Sequence, residues 1–171
     1  MVKESRDLLK DAYSHINRIV HQSADGLSID QLTYRPEDGS NSIAWLVWQL
    51  TRIQDSHLAP VTQLPEAWLT EDWSEKFGML DDGTVGQGDG PEEVAAMRLS
   101  TELLLGYHDR VAERTLGYLE KVDSDELERI VDTNHDPHVK AGVRLVSVIQ
   151  DNMQHAGQAR YVRGMIERLG I

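Results

Sequence analysis

The sequence contains no cysteine in its 171 residues. This absence excludes a disulfide framework, thiolate metal ligands and a cysteine nucleophile. If the protein carries out thiol chemistry, the thiol must therefore belong to a substrate.

The sequence is also poor in cations and has no long apolar run. It carries 17 Lys and Arg against 29 Asp and Glu, a net charge of -12, and no basic cluster. Phosphate backbones and anionic lipid would repel such a chain, so nucleic acid and membrane surfaces are not expected as partners. No 18 apolar residues run together, and the N-terminus is charged and amphipathic, unlike a signal peptide. A soluble, cytoplasmic protein is therefore expected.

What the chain does contain is helical periodicity. Hydrophobic residues make up 40% and charged residues 27%, a globular balance that suits one compact domain over residues 1–171. Apolar residues recur at helical spacing in four segments: from about residue 3 to 23, from 40–42 to just before Pro60, from 89 to about 119, and from about 142 to 169. Short helical pieces are predicted at 28–32, at 126–131 and around the aromatic residues of 65–77. We predict no strand and an all-α four-helix bundle with irregular connections.

The fourth predicted helix carries two polar residues on an apolar stripe. Asp151 and His155 are four residues apart and so share one face with Val148, Gln158 and Val162. A carboxylate and an imidazole at this spacing can bind one cation. The alternative is an exposed ion pair that contributes only a few tenths of a kcal/mol.

The second predicted helix carries a polar residue in its apolar stretch. Gln49 lies between Leu46 and Ile53 on one stripe. A buried amide needs hydrogen-bond partners, so Gln49 is either bonded to another helix or directs its carbonyl oxygen at a metal. His57, two turns further on, either lines the same site or is a half-exposed histidine at the helix end.

The remaining histidines and the glycine-rich segment are not predicted to be catalytic. The five histidines are His15, His21, His108, His135 and His138. The segment 82–90 is predicted to be a loop, and it cannot be a phosphate-binding loop because the Lys-Ser/Thr pair is missing.

Two longer segments resemble a known family. Residues 41–55 (NSIAWLVWQLTRIQD) and 144–164 (RLVSVIQDNMQHAGQARYVRG) are similar to characteristic segments of the DinB/YfiT-like superfamily. Within it the chain resembles the actinobacterial mycothiol-dependent branch, and the mycothiol S-transferases in particular. Shorter similarities at 26–28, 34–36 and 90–94 extend the resemblance over nearly the whole chain.

The resemblance implies a four-helix bundle with a divalent-metal triad. One ligand comes from the second helix, where Gln49 replaces the histidine of the family, and two come from the fourth, where Asp151 and His155 align. An amide oxygen is a weaker ligand than imidazole, so we expect lower metal affinity and a preference shifted toward harder ions.

The activity implied by the resemblance is transfer of a low-molecular-weight thiol, mycothiol, to electrophilic small molecules, with a role in detoxification. Zinc is the expected metal, Asp151 and His155 are its catalytic anchors, and His57, Arg52 and Arg144 are the expected substrate contacts. A homodimer is also expected. The alternatives are a metal-dependent hydrolase, a mycothiol-dependent isomerase, or a non-catalytic small-molecule or metal-binding protein whose site has degenerated at Gln49.

Overall fold

Four long helices form a bundle. The computed structural model describes residues 2–79 and 83–171, with side chains from residue 5 onward. The long helices are α1 (Val2–Ala24), α3 (Ile43–Thr62), α7 (Thr101–Leu119) and α9 (Ala141–Leu169). Helix α9 packs on α3 and α1, and α7 packs on the same two helices from the other side. The predicted all-α bundle is confirmed.

The core lies along the axis of the bundle. Helix α1 contributes Tyr13, Ile16 and Val20, all nearly inaccessible to solvent, as its predicted stripe requires. The Tyr13 hydroxyl donates to the backbone oxygen of Leu145 at 3.0 Å, which ties α1 to α9. None of the described helices is long and apolar enough to cross a bilayer.

Helix α3 begins as predicted but ends later. The Ser42 hydroxyl accepts from the backbone N–H of Trp45 at 3.2 Å and caps the helix. The predicted end before Pro60 is wrong, because the helix continues to Thr62. Pro60 is exposed in the last turn, where it removes one intrahelical hydrogen bond, and burial of Leu58 and Val61 holds that turn against the core.

The third predicted helix is two helices. Helix α6 (Pro91–Ala96) is short, and α7 starts afresh after Ser100, whose hydroxyl caps the N–H of Leu103 at 3.2 Å. The connection buries Met97 and Leu99. Their burial in a non-helical segment is a tertiary effect that helical periodicity does not reveal.

A short hairpin precedes α9. The predicted helix at 126–131 is α8 (Ser124–Glu128), followed by strand β1 (Ile130–Asp132), which pairs antiparallel with β2 (Val139–Lys140). The prediction of no strand was therefore wrong. Two strands this short carry too few residues to show an alternating pattern, and their pairing depends on the connection between them.

The remaining short helices are α2 (Ile29–Leu32), α4 (Ala67–Thr70) and α5 (Trp73–Phe77). Trp68 is fully buried, and its ring centroid lies 5.2 Å from that of Phe77 and 5.3 Å from that of Tyr107. Asp55 of α3 accepts from the backbone N–H groups of Ala67 and Trp68, which fixes the start of α4. The aromatic segment thus plugs the core as predicted, although two short helices carry it.

Candidate functional site

Helix α9 brings Asp151 and His155 together. The His155 Nδ1 atom lies 3.4 Å from Asp151 Oδ2 and 2.9 Å from the backbone oxygen of the same residue. The His155 side chain is 18% exposed and that of Asp151 34%. The pair therefore lies at the edge of the core, where a small ligand can reach it.

The contacts of His155 orient its imidazole. With a proton on Nδ1, the ring donates to the Asp151 backbone oxygen, and Nε2 carries the free lone pair. Metal-binding histidines are commonly oriented by such a bond from the other ring nitrogen. The hydrogen bond to the Asp151 side chain raises the pKa of His155, so protons compete with a metal at this ring.

Gln49 contributes an oxygen that has no hydrogen bond. Gln49 is 7% exposed, and its Nε2 donates to the backbone oxygen of Gly86 at 3.4 Å. Its Oε1 is buried and has no hydrogen-bond partner among the described residues, a state that costs about 1–3 kcal/mol. Asp151 Oδ2 is also buried, and it pairs with His155 Nδ1 at 3.4 Å. One unpaired amide oxygen and one carboxylate oxygen held by a long ion pair fit a site that receives a cation.

The Gln49 region of α3 approaches the pair on α9. The ring of Trp45, one turn before Gln49, lies 6.4 Å from the ring of His155. In the described part of the chain, no three His, Cys, Asp or Glu side chains form a metal-binding group. The candidate metal site contains two residues of these four types, and its third donor is an amide oxygen.

The glycine-rich loop covers this part of α3. Residues 80–82 lie outside the described structure, but from residue 83 the loop follows the helix. Trp45 Nε1 donates to Asp89 Oδ2 at 2.8 Å, and Gln49 bonds to Gly86. Gly86 has φ +76°, and a Cβ there would lie 2.6 Å from the Trp48 ring. The sequence predicted a loop but not that this loop packs on α3. The one signal in the sequence was the high glycine content of the loop, because glycine lets the backbone approach a neighbouring helix closely.

Arg52 is placed differently from its predicted role. Its side chain is fully buried, and Nη1 donates to Glu66 at 2.9 Å and to the Tyr107 hydroxyl at 3.2 Å. Its Nε donates to the backbone oxygen of Thr84 at 3.1 Å, and the guanidinium lies 4.7 Å from the Trp68 ring centroid. Because its N–H groups donate to protein atoms, Arg52 holds the loop to the core. The same hydrogen bonds oppose the predicted contact of Arg52 with substrate.

His57 and Arg144 line one cavity of 580 Å³ beside the β-hairpin. Arg144 Nη2 donates to Asp132 Oδ2 at 2.7 Å. Burial lowers the pKa of His57, the positive charge of Arg144 lowers it further, and the negative charge of Asp151 opposes the shift. His57 is therefore within electrostatic reach of both Arg144 and the α9 pair.

The burial of two polar residues was not predicted. Asn152 is fully buried and donates to Gln54 Oε1 at 2.7 Å. His108 is also buried; its Nδ1 lies 2.9 Å from Thr51 Oγ1, and burial lowers its pKa to about 4. The innermost stripe of α9 thus passes through Asn152, while Gln158, predicted on that stripe, is exposed.

The helix order and packing define an all-α protein with a DinB-like four-helix bundle. The family model described as mycothiol S-transferase matches residues 7–168, and the chain belongs to this family. It is also similar to a crystal structure described as the conserved protein of a locus from Enterococcus faecalis. That similarity has 28% sequence identity and a TM-score of 0.83, and it covers 92% of this chain and 94% of the other. None of the curated proteins compared with the chain matches it.

Proposed function

We propose that the protein is a divalent-metal-dependent S-transferase that joins mycothiol to electrophilic small molecules. The observation that carries the proposal is the buried, unbonded Gln49 Oε1 on α3, together with the Asp151–His155 pair on α9, in a member of a thiol transferase family. Buried polar atoms normally have a bonding partner, and one cation could bind the oxygens of both Gln49 and Asp151.

The three donors suit a divalent ion. Gln49 Oε1, an Asp151 carboxylate oxygen and the His155 imidazole would hold such an ion with three protein ligands, the number found in catalytic metal sites. The two oxygens favour harder ions than a site of three histidines would, whereas the affinity of zinc for thiolate favours zinc. When bound, such an ion lowers the pKa of a thiol from about 8.5, so that the nucleophilic thiolate prevails at neutral pH.

Residues of the chain itself orient the ligands, exclude water, bind the electrophile and accept the thiol proton. The bond from Nδ1 to the Asp151 backbone oxygen holds the His155 ring so that Nε2 faces away from it. The loop that packs on Gln49 shields its amide from water. The cavity with His57 and Arg144 receives the electrophile, and His57, with its lowered pKa, is a neutral base for the thiol proton. The sulfur then bonds to the electrophilic carbon. A leaving group such as chloride departs with its electron pair, or, in an addition, the displaced electron pair takes the proton from His57.

The test is metal content together with thiol conjugation. Purified protein would be analysed by mass spectrometry for bound metal, and conjugation of mycothiol to 1-chloro-2,4-dinitrobenzene would be followed by absorbance. His155→Ala removes a proposed ligand, and His138→Ala is the matched control in an exposed loop.

The proposal expects about one divalent ion per wild-type chain. It also expects loss of both metal and conjugation in His155→Ala and retention of both in His138→Ala. Wild-type protein that takes up no metal after incubation with zinc would contradict the proposal and favour a non-catalytic binding protein.

A further inference from the structure

The described part of the glycine-rich loop, residues 83–90, is fastened along one stripe of α3. Three side chains of α3, three and four residues apart, donate to the loop: Trp45, Gln49 and Arg52. Their acceptors follow in the opposite order along the chain: Asp89, Gly86 and Thr84. The loop therefore runs antiparallel to α3, and it passes over the candidate ligand Gln49 between two outer fastenings.

The fastening at Asp89 fixes the orientation of an indole ring. Trp45 is 5% exposed, and its Nε1, which can only donate, lies 2.8 Å from Asp89 Oδ2. Burial alone does not require such a bond in this core, because the buried Nε1 atoms of Trp48 and Trp68 have no partner within the described structure. A ring turned away from Asp89 would lose a hydrogen bond to a charged acceptor, which is stronger than one to a neutral group. The Asp89 carboxylate therefore selects one orientation of the Trp45 ring.

The Trp45 ring in this orientation faces His155 of α9. The two ring centroids lie 6.4 Å apart with an interplanar angle of 52°, within the range of interacting aromatic pairs. From its own helix, the imidazole is held at one nitrogen by the backbone oxygen of Asp151. Trp45 packs on the same imidazole from α3, across the interface between the two helices. The orientation of His155 thus depends on a ring that the loop holds in place.

We propose that Asp89 is a positioning residue for His155. Its carboxylate holds the Trp45 indole, and the indole holds the imidazole in the orientation in which His155 binds a metal. Asp89 itself touches neither metal nor substrate in this assignment. The role of His155 as a metal ligand rests on the proposed function, whereas the chain of contacts from Asp89 through Trp45 to His155 rests on the geometry alone.

Three substitutions separate the effect of this bond from the stability of the fold. Asp89→Leu removes the acceptor at a similar side-chain size, and Asp89→Asn restores an acceptor oxygen without the charge. Trp45→Phe removes the indole N–H and keeps an aromatic ring. Glu92→Leu, at an exposed carboxylate of α6, is the matched control for the loss of one negative charge.

Proton NMR of the metal-free protein reads the orientation of His155 directly. In wild type, nuclear Overhauser effects should connect the Trp45 ring with the His155 imidazole, and these resonances are identified by their loss in Trp45→Phe and His155→Ala. Asp89→Leu should abolish these effects and shift the imidazole resonances, whereas Asp89→Asn and Glu92→Leu should keep both as in wild type. A loop with a purely structural role would lower Tm in Asp89→Leu and leave the imidazole unchanged, which would overturn the proposal.

Zinc affinity tests the consequence for the candidate metal site. Loss of a group that orients a metal ligand typically lowers affinity by about 10–100-fold, so Asp89→Leu should bind zinc about tenfold more weakly. Asp89→Asn should bind zinc as wild type does. Because the bond acts through Trp45, the double variant Trp45→Phe/Asp89→Leu should lose no more affinity than either single variant. Multiplication of the two single losses would overturn the assignment.

The two measurements distinguish this proposal from the proposed function. If the imidazole loses its orientation in Asp89→Leu but wild type takes up no zinc, the positioning role stands and the proposed function alone fails. If wild type binds zinc and conjugates mycothiol while Asp89→Leu keeps both the Overhauser effects and the zinc affinity, the positioning role is overturned and the proposed function stands. Should Asp89→Leu fail to fold, Trp45→Phe, which leaves the loop carboxylate in place, decides by the imidazole resonances and the zinc affinity.

Discussion

Replacing Gln49 by histidine is the sharpest perturbation of the candidate metal site. The change removes an amide whose one hydrogen bond, to Gly86, is long at 3.4 Å and whose Oε1 is unbonded. Its loss should cost well under about 1 kcal/mol. In exchange the site gains an imidazole, a stronger ligand for zinc than an amide oxygen.

The expected gain is at least about tenfold in zinc affinity, or about 1.4 kcal/mol. At saturating zinc this gain appears as added stability of the folded state, because the metal binds the folded chain. For a chain of this size, 1.4 kcal/mol raises Tm by roughly 3–5 °C. Zinc affinity would be measured by competition with a chelating dye, and Tm by circular dichroism with zinc and with a chelator.

Gln49→Leu is the matched control. It removes the unbonded oxygen, whose burial costs about 1–3 kcal/mol, together with one long hydrogen bond, so stability in chelator should rise by about 1 kcal/mol while zinc affinity falls. If Gln49→His folds but binds zinc no more tightly than wild type, then Gln49 does not face an ion shared with Asp151 and His155, and the reasoning fails.

Three further outcomes are expected. As the pH is lowered, zinc affinity should begin to fall above pH 6.5. The reason is that the pKa of His155 is raised above this value, so protons compete with zinc for its imidazole. Between pH 7 and 5 the buried His108, whose pKa is about 4, should cost roughly 2 kcal/mol of folding stability, since only the unfolded chain takes up its proton. Gly86→Ala should destabilise the fold by about 1–3 kcal/mol through strain at φ +76° and a clash with a tryptophan ring.

Each of these has its own control. Asp151→Asn should return the pKa of His155 toward its ordinary value, as titration by NMR without metal would show, and because it removes a proposed ligand it should also lower zinc affinity at every pH. Urea unfolding of His108→Gln should lose the extra sensitivity between pH 7 and 5; an unchanged pH slope would contradict the burial argument. Gly88→Ala shares a positive φ but meets nothing within 4 Å, so it should cost less than Gly86→Ala, and equal losses would show that packing on α3 is unimportant.

Several features of the site depend on long-range packing and could not be predicted. Arg52 looked like a surface or substrate residue, but α4 and the loop after residue 82 close over it and fill its hydrogen bonds. No pattern in the sequence predicted that Asn152 points inward, where its side chain donates to Gln54 of α3. The pairing of two side chains nearly one hundred residues apart leaves no mark in local periodicity.

The sequence alone determined the features that depend on residues close together along the chain. The 3.6-residue period set the four long helices, Ser42 marked the start of α3, and the four-residue spacing put Asp151 and His155 on one face. The tertiary structure alone decided which atoms are deprived of water. Gln49 Oε1 is buried without a hydrogen bond because α3 packs against α9 and the glycine-rich loop, and Asp151 Oδ2 is buried in its pair with His155. Burial is a property of the packed chain rather than of any segment.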